Sequence, residues 1–94
     1  RKAFTGANVR WVAKLLTRRG RARTALGALA AAGKDLLEAY PLYVSSRGEG
    51  HRETRECVKA LVDLFSARQA AEPGRGYDRE AATWSVKLRS TPPG

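Results

Sequence analysis

Residues 52–74 read RETRECVKALVDLFSARQAAEPG, and this stretch decides the fold. Cys57, Val58, Leu61, Val62, Leu64 and Phe65 recur at helical spacing and form one broad apolar stripe. Arg52, Arg55, Glu56, Lys59, Asp63 and Arg68 fill the rest of the circumference, with Glu56–Lys59 and Lys59–Asp63 at ion-pair spacing. Pro73-Gly74 cannot continue a helix, so the element ends near Glu72. A helix with one apolar face must bury it against another element, and the rest of the chain supplies mainly helices.

Toward the N-terminus, Val9, Val12, Ala13 and Leu16 repeat at helical spacing behind Asn8, a candidate cap, and Gly20 is the expected stop. Thr24 is the expected cap of a second helix through Leu26, Leu29, Leu36, Leu37 and Tyr40, weakened at Gly33 and ended by Pro41. The Ala/Gly run from Ala25 to Gly33 has little side-chain bulk and predicts close helix packing. Residues 42–44 are expected to be extended or looped, and residues 45–50 to form a polar turn. Beyond Pro73, residues 74–77 read as a loop. Trp84, Val86 and Leu88 alternate with Ser85, Lys87 and Arg89, the period of a short strand. With no second strand to pair with, that segment is expected to be an extended arm lying on a neighbour.

The expectation is therefore an all-α fold: about three helices in a small bundle or helical hairpin, with a basic N-terminal arm and an extended C-terminal tail. Composition divides the chain into a basic arm with the first helix (1–34), a charge-balanced helical body (35–72) and the tail (73–94). Leu, Val and Phe contribute only 18 of 94 residues, against 16 Ala, so the core is small and assembly with a partner is expected to add order.

The net charge of +9 is localised. Residues 1–34 carry nine Lys or Arg and no acid, whereas from Asp35 onward nine basic residues meet nine acidic ones. A local field of this sign attracts polyanions or anionic surfaces. Arg18-Arg19-Gly20-Arg21-Ala22-Arg23 sets four guanidinium groups within six residues, and the guanidinium fork matches phosphate at two points. The candidate nucleic-acid-binding residues are Arg10, Lys14, Arg18, Arg19, Arg21, Arg23 and Lys34, with Arg75 as a secondary contact beside Tyr77. Phe4 and Trp11 are aromatic residues of the same arm that can stack on unpaired bases, although Trp11 stands next to the apolar face and is expected to pack.

Nothing in the sequence proposes a catalytic site. His51, the single histidine, lies beside the Gly48–Gly50 turn with neither nucleophile nor orienting group near it. Cys57, the single cysteine, falls on the apolar stripe. Glu49, Glu53 and Glu56 have helical spacing but are interleaved with Arg52 and Arg55. Neither a phosphate-binding glycine loop nor a four-ligand zinc pattern is present, so no metal and no cofactor is expected.

The function expected from these features is non-enzymatic. The chain reads as a structural subunit of a large ribonucleoprotein, a ribosomal protein binding rRNA through its basic arm. Its neighbouring proteins would be met through the helix 53–71 and the tail 84–89. The alternative is an accessory subunit of a membrane-bound respiratory-type complex, with Trp11, Val12, Leu15 and Leu16 on an anionic bilayer surface. The Arg-rich, Met-less beginning points to an organellar, mitochondrial location, with the cytoplasm as the other.

Overall fold

The computed structural model describes residues 6–90, with side chains from Val9 onward; Phe4 and the closing Pro92-Pro93-Gly94 lie outside the described residues. Four helices follow one another: α1 (Gly6–Leu26), α2 (Leu29–Arg47), α3 (Arg52–Ala71) and α4 (Tyr77–Ser90). α1 packs on α2 and α3, α2 on α3, and α3 on α4. The all-α expectation holds, but with four helices rather than three, and among the described residues there is no strand.

α1 does not stop at Gly20, and the reason is packing. A Cβ at Gly20 would lie 2.7 Å from Cγ and 2.8 Å from Cδ2 of Leu36, so the missing side chain is what lets α2 approach. The stop comes seven residues later, at Gly27, whose φ of +85° is the left-handed conformation that glycine adopts freely. There Gly27 N donates to Thr24 O at 3.1 Å and Ala28 N to Arg23 O at 2.8 Å, the paired bonds of a Schellman cap. Asn8, expected as a cap, is inside the helix. Thr24 caps nothing, because its hydroxyl donates back to Gly20 O at 2.8 Å.

A two-residue link, Gly27-Ala28, turns the chain from α1 into α2. Pro41 lies within α2 instead of ending it. Proline removes one helical hydrogen bond and costs about 3 kcal/mol in a helix interior. Tertiary burial outweighs that local cost: one half-turn on, Tyr43 is buried beside Thr17 of α1. The helix therefore runs through the expected loop at 42–44 and ends at Gly48, which donates to Tyr43 O and Val44 O.

α3 matches its expected limits. His51 caps it, Nδ1 accepting from Glu53 N at 3.0 Å, and Thr54 Oγ1 donates to Gly48 O at 2.8 Å to fix the turn. Leu61 and Leu64 are fully buried, together with Leu36 and Ala39 of α2. Close packing is realised at Ala32 and Gly33, where a Cβ on Gly33 would stand 3.4 Å from Leu64 Cδ2; Ala25 and Ala30 of the same run are exposed.

The expected strand at 84–89 is instead the second half of α4. Tyr77, Ala81, Trp84 and Leu88 share one helical face, and the first three pack against the core. Trp84 meets Tyr40 edge-on with ring centroids 4.9 Å apart, and Tyr77 stacks on Phe65 with Arg68 4.4 Å above its ring. Asp78 and Glu80 in the first turn and Lys87 and Arg89 in the last complement the helix dipole. A three-residue alternation is too short to override these terms.

Candidate nucleic-acid interface

The site is built on α1, whose residues sort into four rows. Ala13, Thr17, Gly20 and Thr24 face inward; Thr17 is held by a bond from its Oγ1 to Ala13 O at 2.8 Å. Arg19 and Arg23, one turn apart, form one edge and reach Asp35 of α2. Arg10, Lys14 and Arg21 form the other edge. Lys14 lies 3.5 Å from Glu53 and Arg21 3.6 Å from Glu56, so Glu56 pairs across helices, not with Lys59 as its spacing suggested. The outer row, at four- and three-residue steps, is Trp11, Leu15, Arg18, Ala22 and Leu26, all exposed.

These rows divide the eight candidate cations into three groups. Arg19 and Arg23 hold the fold together. Asp35 is only 3% exposed, and the Arg19 hydrogen bond, reinforced by the charges of Arg19 and Arg23, keeps its carboxyl below the usual carboxylate range against the opposing effect of burial. Lys14, Arg21 and Arg75 sit in single ion pairs at 3.5, 3.6 and 3.8 Å, Arg75 with Glu72. Such surface pairs contribute about 0–1 kcal/mol and exchange readily for another anion. Arg10, Arg18 and Lys34 pair with no acid among the described residues. Arg10 and Arg18 both lie on α1, one on its edge and one in its outer row, Lys34 stands on α2, and Arg75 lies in the α3–α4 loop.

Trp11 is the principal correction. Expected to pack, it is 60% exposed, because the inward row passes through Ala13 and Thr17 and leaves Trp11 on the opposite side. Trp11 lines a cleft of about 160 Å³ with Arg10 and Lys14 of α1, Arg47 at the end of α2 and Glu53 in the first turn of α3. Glu53 is shared, Oε2 lying 3.5 Å from Lys14 and Oε1 3.3 Å from Arg47. Arg47 was not a sequence candidate. Its expected polar turn gave no signal that α2 would extend far enough to carry it beside Trp11. On the other side of the outer row, Val12, Leu15 and Leu16 form an apolar groove with Arg18 and Arg19.

The Cys57 thiol is buried, lies 3.7 Å from Leu36 O and is pushed up to about 11 by burial. Among the described residues, no three His, Cys, Asp or Glu gather where they could hold a metal ion. No described helix is long and apolar enough to cross a membrane. Compared with known proteins, the chain matches no family model, no curated protein and no solved structure.

Proposed function

We propose that the chain is a non-enzymatic structural subunit of a large ribonucleoprotein, a ribosomal protein that lies on rRNA along α1. The observation carrying this reading is the outward side of α1. Six cations and no acid occur in its 21 residues, and four of them, Arg10, Lys14, Arg18 and Arg21, are unpaired or held only by exposed, exchangeable pairs. Protein neighbours are assigned to the outer surfaces of residues 53–71 and 84–89, where Val86 is 52% exposed. A mitochondrial particle is the proposed setting, supported by the Arg-rich, acid-free first third.

Fluorescence anisotropy with a structured RNA between about 50 and 500 mM salt tests the proposal. Four phosphate contacts give a slope of log K against log salt of about −2.8 for single strands and about −3.6 for a duplex. A slope near zero would overturn it.

One observation favours a second reading. Trp11, Leu15 and Leu26, at 60%, 47% and 83% exposure, line up along an acid-free helix, which also suits the surface of an anionic bilayer beside a membrane-bound complex. Binding to phosphatidylglycerol vesicles that persists in the presence of excess RNA would favour it.

A further inference from the structure

We propose that the cleft beside Trp11 holds an unpaired nucleotide, its base stacked on the indole and its phosphate between Arg10, Lys14 and Arg47. This rests on the RNA-binding reading and narrows it from RNA in general to single-stranded or looped RNA.

Three helices converge on the cleft: Arg10, Trp11 and Lys14 come from α1, Arg47 from the last turn of α2 and Glu53 from the first turn of α3. Three cations and one carboxylate line the cleft, so it keeps a surplus of two positive charges. Glu53 bridges Lys14 and Arg47 and holds both ammonium and guanidinium groups near one point. A phosphate oxygen entering there meets donors already gathered around an anion. At about 160 Å³ the cleft is well below the roughly 300–1,000 Å³ of pockets that enclose a whole small molecule. It has room for a phosphate group, and the base then lies on the open face of Trp11.

The indole separates this ligand from a duplex. A phosphate site needs only cations, and nothing in the core requires Trp11, whose neighbours Ala13 and Thr17 make the inward contacts. An exposed ring beside convergent cations is the arrangement by which single strands are bound, stacking on aromatic faces while basic groups follow the backbone. A duplex presents phosphates but keeps its bases stacked on one another.

The test uses the 94-residue chain with Trp84→Phe, so that emission reports Trp11 alone. A single-stranded oligouridine and a blunt RNA duplex of equal length are titrated at one salt concentration. The single strand is expected to bind more tightly and to quench Trp11 emission. Trp11→Ala and Trp11→Leu are expected to weaken single-strand binding roughly 5- to 150-fold while leaving duplex binding unchanged, and Trp11→Phe to retain most of it. Leucine keeps the apolarity without the ring face, so equal binding by Trp11→Leu and wild type would overturn the proposal. Equal affinity for both RNAs with unchanged Trp11 emission would overturn it and leave the RNA-binding reading standing. Absence of binding to either RNA would overturn both. A blue shift on phosphatidylglycerol vesicles, with no quenching by RNA, would replace the nucleotide with a bilayer surface. Far-UV circular dichroism confirms that each variant keeps its helices.

Discussion

Asp35 of α2 grips Arg19 of α1 at two points, accepting from Nε at 3.1 Å through Oδ2 and from Nη2 at 2.9 Å through Oδ1. Arg23 adds a third bond, Nη1 to Oδ2 at 3.0 Å. Two of the most conspicuous cations in the sequence are thus engaged by the first acid that follows them. This ties the edge of α1 to α2 beside the fully buried Leu36.

Asp35→Asn should cost roughly 1–2 kcal/mol at neutral pH, a modest figure because solvent reaches Arg19 and screens the pair. The Asp35 carboxyl titrates lower in the folded state than in the unfolded chain. Its contribution is therefore full above the ordinary carboxylate range and is lost as pH falls through the folded value. Urea unfolding at pH 7 and near pH 3 should show the wild-type advantage closing. An advantage as wide in acid as at neutrality would mean that charge plays no part in it.

Gly20→Ala should destabilise the protein by about 1–3 kcal/mol, although alanine is intrinsically the better helix former by about 1 kcal/mol. The new Cβ would fall 2.7 Å from Cγ of Leu36, a branch point in a fully buried side chain with no free direction of retreat. Thermal unfolding checks the sign. A raised Tm would show that α1 and α2 are less tightly apposed than described.

Cys57 should resist thiol reagents in the native state. Burial raises its pKa from 9.0 to about 11, which lowers the thiolate fraction near pH 8 about 100-fold before steric exclusion is counted. Labelling with a disulfide reagent should be slow in buffer and rapid in urea. Fast native labelling would indicate that α3 separates readily from α2.

Arg10→Gln with Arg18→Gln should weaken RNA binding and reduce the salt slope by about 1.4 on single strands, leaving the unfolding midpoint unchanged. Arg19→Gln with Arg23→Gln should lower the midpoint, because it removes every ion-pair partner of Asp35. Anisotropy and urea unfolding on the two double variants separate the roles. Equal loss of stability in both would contradict the division of α1 into binding and structural rows.

Where one physical signal dominated, the sequence was readable. α3 has a strong apolar period, a breaker at Pro73 and no competing cue, and its limits are those expected. Gly20, Pro41 and the alternation of Trp84, Val86 and Leu88 mislead for one shared reason. Each is a local preference overridden by a tertiary contact: Gly20 with Leu36, Tyr43 with Thr17 past the proline, and Trp84 with Tyr40. The charge bias of α1 was visible from composition, but which cations remain available depends on Asp35, Glu53 and Glu56, distant in sequence and brought close only by the fold. The exposure of Trp11 follows from the true inward row, and that row is fixed by Gly20, whose missing side chain reads as a stop in the sequence alone.

α1 is not a tail that a partner can reel in. Its inward row belongs to the core, and one edge is fastened to Asp35 by two arginines. At 1.5 Å per residue, its 21 residues make a strut about 30 Å long. Because α1 packs on both α2 and α3, a load applied along it is shared with both. On the RNA-binding proposal, such a helix would hold its phosphate contacts at fixed spacing instead of adapting to the strand.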